Sequence, residues 1–479
     1  MRYRQKRPPV RLLVVCEHNP QGKEAENGRC VSTRGGTGAS AREALFRKLA
    51  GRRSYLRAFG QARWLWQGWI YTPAVTVWVF LAQCLSPDHS CRDAVTQLIA
   101  WLVADGRRAC SAVTGAYCSA RDRVPEQACI QLARDTGRQV EEDAPSCWRW
   151  LGHRVLDVDG STLTMADTKA NQAEYPQLAS QQRGCGFPIA RLVVVFSLAV
   201  GTVLDAALGR YEGKKTGENS LFRTLYDLLD AGDVVLADRY FSGWFDLAML
   251  WQLGVHSVVR KHQLRRTDFR TGHRLGRDDH LVFWTKPQRP AWMSPEQYET
   301  LPDVLMLREV RVRVEQQGFR TREVIVVTTL LDAERYAATE IAKLYRRRWQ
   351  AELNLRSLKI VLQMDHLRCK TPHRVRNEFY MHLVAYNLIR KVMAMAAFQA
   401  GVEPWTVSFK GALQTMARML PLLETNISID DWCDALLQAV AAHAVGDRPD
   451  RFEPRLRKRR PKPYKHLREP RQNYKRHAA

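Results

Sequence analysis

Acid is what this sequence is short of. Its 49 Asp and Glu face 74 Lys and Arg, a formal charge of +25 over 479 residues. Such a surplus repels cations and attracts an anionic polymer, which puts nucleic acid first among partners. The chain also lacks any Cys-x-x-Cys pair or metal-type partnering of its 11 cysteines with histidine, which speaks against zinc. Their odd number and scatter predict reduced thiols in a cytosol. Long apolar runs are missing too. The stretch Val75–Leu85 is too short to span a membrane and reads as a buried helix, and Leu12–Cys16 is too short for a secretory signal. No internal repeat is visible.

What is present is concentrated in YRRRWQAELNLRSLK. There Tyr345, Arg348, Glu352 and Lys359 follow at spacings of three, four and seven. On an α-helix those four fall within about 60° of arc, one stripe holding a carboxylate, two cations and a phenol. A carboxylate can hold a divalent metal, and Arg, Lys and Tyr can hold phosphate oxygens. A basic helix with solvated charges is the plain alternative.

Two aspartates weigh against that alternative. Asp159 follows Val155, Leu156 and Val158 and precedes Gly160; Asp238 follows Val234–Ala237 behind the turn Ala231-Gly232-Asp233. Each is expected to close an apolar strand, where side chains leave a sheet toward a ligand. Each could also be a mere turn former.

The order Asp159, Asp238, Glu352, with the Tyr-Arg-Glu-Lys helix, resembles the DDE transposases of bacterial insertion sequences, and within them the group defined by that signature. The wording DVDGSTLTMADT, VVLADRYFSGW and LRCKTPHRVRNEFYMHLVAYNLIR is similar as well. One departure is ADRYF, which lacks the longer acidic motif of members that excise through a hairpin, so the excision route stays open.

The resemblance implies double-stranded DNA as partner, a dimer when synapsed, no membrane, and a bacterial cytoplasmic, nucleoid-associated location. It implies cleavage at element ends and joining to target DNA. Two Mg²⁺ ions, replaceable by Mn²⁺, would be held by Asp159, Asp238 and Glu352. Tyr345, Arg348 and Lys359 would contact DNA; Trp349 would stack on a base or simply pack. Lys214 and Lys215, in RYEGKKTGE, offer a phosphate contact or an ordinary surface loop. A transposase-derived DNA-binding protein with a dead site is one alternative. A tyrosine recombinase is another, since His373, Arg376 and Tyr386 mimic its residues at too close a spacing.

Along the chain, residues 1–40 read as a flexible leader or an overextended translation start. Residues 41–150 read as a helical N-terminal DNA-binding domain, where Arg52, Arg53, Arg57 and Arg63 interleave with Tyr55, Trp64, Trp66 and Trp69. The expected class is α/β, a ribonuclease-H-like core in two parts, 151–262 and 331–400. A β-rich insertion occupies 263–330. A helical region, 401–450, leads to a basic disordered tail, 451–479, which includes Arg457, Lys458, Arg459 and Arg460.

Overall fold

In the computed structural model the described residues are 70–313, 323–424, 427–445, 467–470 and 473. The leader, the Arg/Trp-rich stretch at 52–69 and Arg457–Arg460 lie outside them. Four helices come first. They are α1 (Pro73–Leu85), α2 (Cys91–Ala104), α3 (Gly115–Asp122) and α4 (Glu126–Glu142). Thr72 caps α1 and Ser90 caps α2, each accepting an N–H of the first turn. Val77, Val79, Phe80 and Leu81 of α1 are buried, as its apolar run predicts. Among the described residues no helix is long and apolar enough to cross a membrane.

The centre is one ten-stranded sheet. Strands β1 (Val155–Met165), β2 (Ile189–Ser197) and β3 (Val203–Arg210) pair antiparallel. After the short helix α5 (Glu218–Arg223) come β4 (Val234–Ala237), α6 (Trp244–Gln252) and β5 (His256–Arg260). Strand β4 pairs parallel with both β1 and β5. The residues between then add β6 (His273–Gly276), β7 (Asp279–Thr285), β8 (Val304–Arg313) and β9 (Glu323–Thr328). Strand β9 pairs with β5, so this β-rich stretch extends the same sheet.

Next are α7 (Ala338–Arg347), α8 (Trp349–Arg356) and the two-residue β10 (His366–Leu367), which pairs with the far end of β1. The 29-residue α9 (Pro372–Ala400) lies against α4 and α1, and α10 (Phe409–Met419) and α11 (Ile429–Ala441) follow. Buried clusters cover both sheet faces. Leu156 and Val158 of β1 meet Leu221, Phe222 and Leu247 on one; Leu163 and Met165 meet Ala351, Leu355 and Phe379 on the other. Helix α4 runs so close to β3 that a Cβ on Gly137 would sit 1.9 Å from the Val203 carbonyl.

Helix α5 starts behind Gly217 and ends at Arg223. One local expectation needs correction. Asp159 does not close its strand, because β1 runs on to Met165, with Gly160 opposite Val193 of β2. What ends beside Asp159 is the neighbour: β4 pairs with β1 only as far as Val158↔Ala237.

Candidate active site

That register does the first part of the assembly. Asp238 follows Ala237 as Asp159 follows Val158, so the two aspartates occupy adjoining positions where the parallel pair stops. Asp238 starts a single 3₁₀ turn, Arg239–Phe241, and its carboxylate accepts the Arg239 N–H at 2.7 Å. The Asp159 carboxylate accepts the Gly160 N–H at 2.9 Å. Burial pushes the Asp159 carboxyl up to about 6, with Glu352 and Glu218 adding negative field and Arg348 opposing it.

Glu352 arrives from the other side of the sequence. The stripe residues do not lie on one unbroken helix: α7 ends at Arg347, α8 begins at Trp349, and Ser357–Val361 is a π-helical turn. Arg348 is the joint and keeps right-handed helical angles, so the spacing of four still works. Arg348 donates to Glu352 Oε1 at 2.8 Å. Asp238 and Tyr345 also act on Arg348. Burial pushes the Tyr345 phenol up to about 12, with Arg348 opposing and Asp238 adding to the shift. Lys359, displaced by the π turn, donates to Ser161 Oγ of β1 at 2.9 Å, two residues past Asp159. Burial pulls its pKa below the usual lysine value. The concavity beside Lys359, about 310 Å³, is also lined by His366 and Arg368.

The structure therefore brings Asp159, Asp238, Tyr345, Arg348, Glu352 and Lys359 to one end of the β1–β4 pair. Trp349 is 44 % exposed beside them. Lys214 and Lys215 are exposed on the turn before α5. The recombinase constellation does not form. The Tyr386 side chain is fully buried and donates to the Gly201 carbonyl at 2.8 Å, while Arg376 pairs with Glu126.

Two contributors escaped the sequence reading. Asp157, two residues before Asp159, shares its face of the strand, a signal available from the alternation of strand side chains. Glu218 reaches over Gly160, where a Cβ would lie 2.3 Å from its carboxyl carbon. No spacing rule predicts that contact.

Among the described residues no three His, Cys, Asp or Glu side chains stand close enough together to hold a metal ion. The donor set nonetheless suits a hard divalent cation. It consists of carboxylate oxygens only, and the burial that raises Asp159, with the negative field of Glu352 and Glu218, is what a cation would offset. Glu352, as it stands, spends its charge on Arg348.

Residues 150–388 match the family described as "Transposase DDE domain". Over those residues the chain is similar to DDE transposases, and over a longer stretch to a transposase of IS4. It is 28% identical over 317 residues to the transposase InsG for insertion sequence element IS4 of Escherichia coli strain K12, covering 64% of this chain and 68% of that protein. It is 35% identical over 69 residues to the transposase for insertion sequence element IS421 of Escherichia coli, 14% of this chain and 19% of that one. The piggyBac transposase synaptic complex with hairpin DNA aligns with TM-score 0.40 and 10% identity over 84% of this chain and 85% of that one. The matched stretch, residues 150–388, contains every carboxylate of the site.

Proposed function

We propose that the protein binds the terminal inverted repeats of an insertion sequence, cleaves DNA at the element ends and joins them to target DNA. The observation that carries the reading is the register. Strand pairing seats Asp159 beside Asp238, and Glu352, bonded to Arg348, is near enough to act on the Asp159 carboxyl. The surrounding core is read as ribonuclease-H-like, from three antiparallel strands followed by parallel β4 and β5 with α6 between. Within the DDE family the chain is read as belonging to the Tyr-Arg-Glu-Lys group, since Tyr345, Arg348, Glu352 and Lys359 keep its spacing.

Asp159, Asp238 and Glu352 would hold a pair of Mg²⁺ ions. When bound, these supply an activated oxygen nucleophile and stabilise the leaving oxygen of an in-line displacement. The chain's own side chains do the rest. Arg348 has a fork of donors that suits phosphate oxygens as well as a carboxylate, so it can hold the scissile phosphate against Glu352. Lys359, anchored to Ser161, places a cation two residues along β1 from Asp159. Tyr345 backs Arg348, and Trp349 presents an exposed ring to a displaced base. Residues 41–150 would recognise the ends, and the basic tail would add affinity that falls with salt. A dimer would synapse two ends.

The reading predicts cleavage of an inverted-repeat duplex in Mg²⁺ or Mn²⁺ and none in Ca²⁺ or EDTA. Calcium takes more ligands at longer distances, so it occupies such a site without the tight octahedral alignment. A nicking assay across the four conditions checks it, and cleavage in EDTA at the Mg²⁺ rate would refute it.

A further inference from the structure

The sheet residue nearest the start of α8 is a buried acid that the proposed chemistry does not use. Asp157 is 1 % exposed, registered between Phe196 of β2 and Leu236 of β4. A carboxylate in such a place is costly unless something specific compensates it. Its Oδ2 accepts the Ala351 N–H at 3.0 Å. Its Oδ1, buried, has no hydrogen-bond partner among the described residues.

Ala351 is the third residue of α8, fully buried, and precedes Glu352. The Ala351 N–H also donates to the Arg348 carbonyl at 3.1 Å, so the strand carboxyl and the helix backbone share it. The chain leading into α8 cannot provide the usual cap, because the residue at that point is Arg348, in helical conformation and without a capping side-chain bond. The side-chain acceptor comes from the sheet, across the core, instead. A second clamp holds the other side of α8. Arg390 of α9 donates to Asn354 and, at 2.8 Å, to the Tyr386 hydroxyl. Between these two anchors α8 has little freedom to slide or rotate against β1.

Resting on the active-site reading above, we infer that Asp157 is a positioning residue for strand cleavage: its carboxylate seats the first turn of α8 and so fixes Glu352 relative to Asp159 and Asp238. The contribution is geometric. Asp157 touches neither substrate nor reacting atoms; it sets where the neighbouring residue of Ala351 stands.

The inference separates an acceptor from a charge, and so it separates two substitutions. Asp157→Asn keeps an oxygen that accepts the Ala351 N–H. Asp157→Leu keeps the branched shape, with bulkier methyl groups in place of the oxygens, and removes the acceptor. The experiment measures single-turnover nicking of a duplex bearing the gene's flanking inverted repeat at saturating protein, the binding constant for that duplex, and amide hydrogen exchange over residues 349–356. Asp159→Asn runs alongside. Asp157→Leu should lower the saturated rate about 100-fold, the scale of a misplacement near 1 Å, with end affinity close to wild type. Exchange in α8 should speed up while α9 stays protected. Asp157→Asn should restore both rate and protection, and it carries the test alone should Asp157→Leu not fold.

Wild-type nicking by Asp157→Leu, with Asp159→Asn inactive, overturns the inference and leaves the active-site reading standing. Asp157→Asn as inactive as Asp157→Leu also overturns it, because the charge and not the acceptor would then matter. Wild-type nicking by Asp159→Asn removes the active-site reading, and the inference falls with it.

Discussion

Asp159→Asn, Asp238→Asn and Glu352→Gln each lower strand cleavage by about 10³-fold or more, while binding of the inverted-repeat end stays near wild type. Groups that act as one catalytic unit fail together when any member is lost, hence the expected size. The affinity survives because phosphate neutralisation by Lys and Arg dominates binding to DNA, and those cations number 74 over the whole chain. The three substitutions are also mild structurally. Asp159 and Asp238 bond to the N–H of the next residue, a bond an amide oxygen keeps, and Glu352 is 39 % exposed. Nicking and gel-shift assays on the same preparations check the result. Near-normal nicking by any one variant would remove that residue from the site.

Arg348→Ala and Lys359→Ala give the second large effect, a fall of about 10²-fold in the rate at saturating protein that exceeds the loss in end affinity. Arg348 bonds to Glu352 and Lys359 to Ser161, so both cations stand at the reacting end of β1 and not along a distant backbone contact. A phosphate gripped there is aligned for displacement, whereas a remote contact lowers affinity alone. Single-turnover cleavage of pre-bound end duplex, with the binding constant, separates the two. A wild-type rate with only weakened binding would make the stripe a general DNA-binding face.

What could be read in advance followed the reach of local rules. The spacing of Arg348 and Glu352 is a helical fact, and it survived a break at Arg348 because that residue stays in the helical region of backbone space. The strand VVLA was legible as an apolar run behind a turn, and α1 as a buried helix. The length of β1 was not, because Gly160 reads as a breaker until one sees Glu218 lying where its side chain would be. Nor was the merging of β6–β9 into the main sheet, since strand order depends on pairing with β5 across more than 60 residues of sequence. The role of Asp157 was hidden for a similar reason. Its partner lies 194 residues away, and an aspartate amid Val and Leu gives no local sign of a helix to cap.

The central claim is that these carboxylates ligate the metal that drives cleavage, and exchanging a hard ligand for a soft one tests it most directly. Asp159→Cys presents a thiolate that Mg²⁺ accepts poorly and Mn²⁺ accepts better. The account predicts no detectable nicking by Asp159→Cys in Mg²⁺ and measurable recovery in Mn²⁺, beyond any change Mn²⁺ makes for wild type. Equal nicking in the two metals, at the wild-type rate, would contradict it.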